Sequence, residues 1–342
     1  MGVWRLILAW MVIAAHTEGY AELFGVDAGT IAVSNFFFIS GFLIPLTYES
    51  HYQKNGFLRG CARFFLNRIL KIYPIYWASL LVTLGVYGAQ HFIHKSNRLA
   101  QIDLSTYFQN FLLIGLNQST FWGGYERLNN PAWTLDVELQ YYLLVPLLLF
   151  LASSYSTAFK LFIAGFSILS LYLQINPVNL VDFDRSILAW AIFFLFGFIY
   201  YKILKKDSMK VMLIFVAFAA LVTLITIGLE NSKVAAFTYA IVFVFCAVSG
   251  VLLKYQMNYR FGNFDRLAGD LSYPTYILHI IFFGLSAKII SFLAVASFNP
   301  VPKYAATFLI NIFVSTAVGY VALKLIDRPI DRMRSKVRSS EV

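Results

Sequence analysis

Charge is scarce in this sequence, and cysteine is scarcer. Asp, Glu, Lys and Arg make up 13% of 342 residues, against about a quarter in soluble domains, which excludes a water-soluble globular class. Cys61 and Cys246 stand far apart in different contexts, so neither a disulfide framework nor a thiolate metal site follows, and no metal is expected. No internal repeat is visible, direct or inverted, which disfavours the repeat-built secondary transporters. No basic groove with interleaved aromatics is present, so nucleic acid is not an expected partner. The first apolar stretch lacks a small-residue cleavage site and is expected to be retained.

What is abundant is apolar sequence: 59% of residues are hydrophobic and the mean hydropathy is +0.69. The expected fold class is an all-α integral membrane protein of about ten transmembrane helices in one bundle. The apolar stretches are 3–22, 30–48, 69–90, 138–153, 158–176, 186–203, 209–229, 234–253, 272–296 and 304–325. A further stretch, 107–116, is too short to span and reads as re-entrant or interfacial. With the N-terminus inside, most of the 27 Lys and Arg fall in inner segments, so both termini are expected in the cytoplasm. The net charge of +10 is then topogenic. Residues 1–330 read as one membrane domain and 331–342 as a short basic cytoplasmic tail, with Arg328 to Arg338 anchoring to lipid headgroups.

Within these spans a few polar residues stand out. Arg5 and His16 are eleven residues apart, which sets them on one helical face about 16 Å apart along the axis. A polar pair on one face of a membrane helix points at protein or water, so His16 reads as the chemical centre with Arg5 beneath it. Ser40-Gly41 suits close helix packing as well as it suits a site. Arg59, Arg63, Arg68 and Lys71 lead into Tyr73-Pro74-Ile75-Tyr76-Trp77, which is either an interfacial belt or a clamp for an anionic cytosolic cofactor. Trp133-Thr134-Leu135-Asp136-Val137-Glu138 places two acids at the outer mouth of a span. Asp136 suits a helix cap, whereas Glu138 sits at membrane depth, where an ionisable group is a functional hypothesis. Tyr273 precedes His279, which is either a satisfied interhelical hydrogen-bonding group or part of the site. Asp327-Arg328-Pro329 closes the last span, read as a local ion pair and helix stop.

Taken in this order, these elements resemble the acyltransferase-3 family of membrane acyltransferases over about residues 1–330. The carrying features are Arg5 and His16, Phe36-Phe37-Phe38-Ile39-Ser40-Gly41-Phe42-Leu43-Ile44, the segment Arg68 to Trp77, Trp133 to Glu138, Ser272-Tyr273 with His279, and Asp327-Arg328-Pro329. The resemblance implies transfer of an acetyl group from acetyl-CoA to a hydroxyl of a saccharide or lipid-linked glycan, in the bacterial inner membrane. It makes Arg5 and His16 essential and matches the family's RxxR element to Arg68 and Lys71. The chain departs from the pattern at Lys71, which lacks the planar fork of Arg. It departs again at Ala32-Val33-Ser34, where many members have Gly-Val-Asp, and at Asp327, where Glu is commoner.

The expected mechanism puts His16 as general base, with Glu138 orienting it or binding the sugar. Arg59, Arg63, Arg68 and Lys71 hold the coenzyme phosphates. Ser40, Trp133, Asp136, Tyr273 and His279 supply substrate contacts or support. The rival class is a proton-coupled transporter or flippase, with His16, Glu138 and His279 as a relay.

Overall fold

A computed structural model describes residues 1–18, 26–95, 102–113, 115, 127–154, 185–204, 233–259, 262–293 and 300–339, with isolated positions between 157 and 172. Among the described residues the chain is helical and has no strand. The helices are α1 (Gly2–Ala15), α2 (Ala28–His51), α3 (Phe57–His94), α4 (Leu104–Leu112), α5 (Trp133–Ser154), α6 (Ile187–Leu204), α7 (Lys233–Asn258), α8 (Asn263–Phe292), α9 (Pro300–Ala322) and α10 (Arg328–Ser339). A π-helical turn, Leu323–Asp327, joins the last two.

Seven of the described helices are long and apolar enough to cross a membrane, where ten spans were expected. The expected span 209–229 lies outside the described residues, as does most of 158–176. The expected first span, 3–22, is a helix of 14 residues that ends at Ala15, with His16 as its C-cap. By contrast α3 begins twelve residues before its expected start and runs for 38 residues, about 57 Å, nearly twice the hydrocarbon thickness. Its basic first turns therefore belong to the same rod as its apolar centre. Two starts are set by carboxylates: Asp27 accepts from Thr30 N at 3.0 Å, and Asp103 from Thr106 N at 2.8 Å, each satisfying an orphan amide of a first turn.

Burial of apolar area drives little helix association inside lipid, so close backbone approach and hydrogen bonds matter more. Helix α2 lies at the centre, packed on α1, α6 and α7. It crosses α6 where Gly41 meets Phe194 and Gly197 meets Phe38. A Cβ on either glycine would collide with the facing backbone carbonyl. Phe37 and Tyr141 stack on Phe194 at 4.6 and 4.3 Å between ring centres, tying α2 and α5 to α6.

The aromatic run on α3 has a specific task. Tyr73, Tyr76 and Trp77 donate to the carbonyls of Leu112, Asn110 and Phe111, at 2.5, 2.6 and 3.0 Å. These are the last carbonyls of α4, which have no partner within that helix. The short segment expected as re-entrant or interfacial is thus a nine-residue helix held at its C-terminal end midway along α3. The belt reading of these three side chains gives way to a capping role.

Candidate active site

Six of these helices surround a cavity of about 290 Å³. Arg5 of α1, Ser40 and Thr47 of α2, Arg68 and Lys71 of α3, Glu138 and Tyr142 of α5, Tyr273 and Tyr276 of α8, and Arg334 of α10 all line it. Four cations thus converge from α1, α3 and α10 on a space whose remaining walls are largely apolar. Such ionisable groups are retained at membrane depth where they face a cavity or one another.

The acid among them is held firmly. Glu138 Oε1 accepts from Ser40 Oγ at 2.7 Å and from Tyr142 Oη at 2.6 Å. Both donors are neutral, so they fix the carboxylate without cancelling its charge. Arg68 lies with its guanidinium over the rings of Phe64 and Tyr142, 5.5 and 5.7 Å from their centres. Lys71 pairs with Asp327 Oδ2 at 2.6 Å. The ion pair expected within Asp327-Arg328 is therefore made across helices instead, and the π-helical turn presents the acid to α3.

The imidazoles sit above this cavity and do not line it. His16 Nδ1 is 2.9 Å from the carbonyl of Val12, and His279 Nδ1 is 2.6 Å from that of Tyr276. Carbonyls only accept, so both neutral rings are assigned as the Nδ1–H tautomer. His279 Nε2, 3.3 Å from His16 Nδ1, is then a lone pair facing a shared N–H. The second lone pair, on His16 Nε2, remains for chemistry. His16 is exposed, whereas His279 is fully buried. Because α8 runs for 30 residues and His279 is its seventeenth, the pair lies close to the middle of that helix.

Between cavity and imidazoles stands Tyr276, one turn before His279. Its hydroxyl donates to Pro131 O at 3.1 Å and lies 2.7 Å from Thr134 Oγ1. Phe36 meets its ring edge-on at 5.9 Å.

Of the residues singled out in the sequence, Arg5, Ser40, Arg68, Lys71, Glu138 and Tyr273 gather around one cavity, and His16 meets His279. The partners of the His16 ring in this arrangement are Val12 O and His279, and those of Glu138 are Ser40 and Tyr142. Trp133 packs on Phe37 and Trp190. Asp136 is the fourth residue of α5 rather than the residue before it, and it accepts from Gly115 N and Gln140 Nε2, bonds that tie the first turn to residue 115 instead of the cap expected of it. Arg59 is exposed near the start of α3, and Arg63 donates to Val337 O at 2.7 Å. Neither lines the cavity. Tyr142, Tyr276 and Arg334 were missed. Tyr142 lies one turn beyond Glu138, a spacing that could have marked it. Arg334 had no such signal, being one cation in a basic run. Among the described residues no group of three His, Cys, Asp or Glu is placed to hold a metal ion.

A family model described as an acyltransferase domain matches residues 1–320 of the chain. One curated relative, an uncharacterized protein of Haemophilus influenzae, is 35% identical over 121 residues, which cover 34% of this chain and 48% of that protein. The chain thus spans about half the length of that relative. No solved structure matches it.

Proposed function

This chain belongs to the acyltransferase-3 family, and on that premise we propose that it is an O-acetyltransferase of the bacterial inner membrane. In this reading it takes an acetyl group from cytosolic acetyl-CoA and places it on a saccharide hydroxyl, free or on a lipid-linked glycan. Both termini then lie in the cytoplasm, an orientation that the distribution of Lys and Arg supports. The observation that carries the reading is a cation-lined cavity ending one helical turn below a pinned imidazole pair.

The residues present fit such a donor. Arg68 and Arg334 each have a buried Nε with no hydrogen-bond partner, an arrangement that is costly unless a ligand supplies the acceptor. Phosphate oxygens are such acceptors, and Arg meets them with a planar fork. A cavity of about 290 Å³ suits a slender thiol arm, with the nucleotide end at the basic mouth. The bound thioester would supply an activated acyl carbon and a sulfur that leaves.

The chain's own groups then have the following tasks. His16 Nε2 takes the proton from the acceptor hydroxyl as its oxygen bonds to the acyl carbon, and returns that proton to the departing sulfur. The imidazolium formed in between keeps its Nδ1–H shared between Val12 O and His279 Nε2, so the ring cannot turn away. Arg5 and Glu138 line the passage below, where Arg5 offsets negative charge and Glu138, fixed by two donors, sets the polar edge.

A histidine base contributes about 10²–10⁴-fold. His16→Ala should therefore reduce transfer of labelled acetyl from acetyl-CoA by that much in purified membranes, with unchanged protein content. Wild-type transfer by the variant would remove His16 as base. Proton-coupled uptake without any acyl transfer would favour the transporter reading instead.

A further inference from the structure

The last basic segment reads from sequence as a headgroup anchor, yet it is the helix α10, and it is folded onto α3. Two side chains of α3 hold its backbone. Asn67 Nδ2 donates to Arg334 O at 3.2 Å, and Arg63 donates from Nε and Nη2 to Val337 O at 3.2 and 2.7 Å. Val337 O is among the last four carbonyls of the helix, which have no partner within it. Arg334, only 7% exposed, reaches the cavity beside Arg68 and Lys71. Its Nη1 bonds Asp331 at 2.7 Å and its Nη2 lies 3.4 Å from Asn67 Oδ1, while Nε has no partner.

Lys71 is already paired with Asp327, and Asp331 lies at the solvent side, with a side chain 54% exposed. Beside them, Arg68 and Arg334 each keep a buried Nε with no acceptor.

We propose that α10 is part of the donor site: Arg334 binds a phosphate of the acyl donor together with Arg68, and Arg63 and Asn67 are positioning residues that clamp the helix so that it can. The proposal rests on the acyl-CoA reading above and refines it, since Arg63 acts on the helix rather than on the ligand. The shared chemistry is a phosphate ester, which an anionic lipid headgroup would also offer.

Equilibrium binding of coenzyme A, and of phosphate-free pantetheine, to the full-length protein in lipid nanodiscs tests this without an acceptor. One charge-assisted hydrogen bond corresponds to about tenfold or more in affinity. Arg334→Gln should weaken coenzyme A binding by that factor and leave pantetheine binding at the wild-type value. Arg334→Lys, which keeps the charge, should fall between, and Arg63→Gln should reproduce the loss in part. Equal coenzyme A affinity for wild type and Arg334→Gln overturns the proposal, as does an equal loss for both ligands, which marks a merely structural role. Nanodiscs of phosphatidylcholine alone and with phosphatidylglycerol separate the two phosphate sources. Equal wild-type affinity in both supports the donor, whereas Arg334-dependent competition by phosphatidylglycerol assigns the site to a headgroup and overturns the proposal. Wild-type protein that binds no coenzyme A defeats the underlying acyl-CoA reading, a result distinct from wild-type binding that ignores Arg334.

Discussion

At His16 the carbonyl of Val12 decides which ring nitrogen is available. By occupying Nδ1 it leaves the Nε2 lone pair for the base role proposed above, and His279 serves that choice from the other side. A positioning residue that works only through His16 has a recognisable energetic signature. His279→Leu should slow acetyl transfer by about tenfold with little change in KM, if the shared N–H is worth a typical hydrogen bond. In the His16→Ala background the same substitution should cost nothing further. Additive losses in that double-mutant cycle would give His279 an independent task. The contact itself was invisible in the sequence, because 263 residues separate the partners and His279 alone reads equally well as an ordinary interhelical hydrogen-bonding group. The cavity residues were easier to find: a cation or acid inside an apolar run is conspicuous, as Arg5, Arg68 and Glu138 are. Arg334 was hidden by its surroundings. A cation inside a run of cations carries no signal until the helix is seen folded against α3.

Among the helices, α4 shows how a short segment is kept at depth. It cannot satisfy its own last carbonyls, and in lipid each unsatisfied group costs several kcal/mol. Three donors on one face of α3 answer that need, at positions 73, 76 and 77. Tyr76 is fully buried, so Tyr76→Phe removes the donor to Asn110 O without changing the ring that fills the space. The expected cost is about 1–3 kcal/mol, measured as a lowered unfolding midpoint in detergent. An unchanged midpoint would mean that water or another donor serves that carbonyl. The sequence showed Tyr, Tyr and Trp where a membrane interface commonly has them. Composition identified the residue types correctly but could not tell a headgroup from a helix end as their partner. The same limit applies to the first helix: apolar sequence continues to about residue 22, yet the described helix stops at Ala15, where His16 and Thr17 begin to bond backwards onto the last turn.

For the whole molecule, the start of α3, the end of the π-helical turn and α10 meet on one side, through Lys71–Asp327 and Arg63–Val337. On the proposed orientation that side is cytoplasmic. Single cysteines in a background free of Cys61 and Cys246 can check it. Ser105→Cys, at the exposed start of α4, should react with a membrane-impermeant maleimide in intact cells. Arg332→Cys, exposed on α10, should react only after permeabilisation. The reverse pattern would invert the molecule and place the cation-lined mouth on the wrong side for a cytosolic donor.

The tyrosine between the cavity and the imidazoles has a consequence for how two compartments could share one reaction. A septum built around that ring would let a group pass by reach rather than by carriage. On the proposed reading the nucleotide end of the carrier would stay at the basic mouth, its sulfur would reach past Tyr276 to the imidazoles, and only the acyl group would leave with the alcohol. Such a wall needs no alternating gates. The space beside Tyr276 would also limit how bulky a group can be handed over.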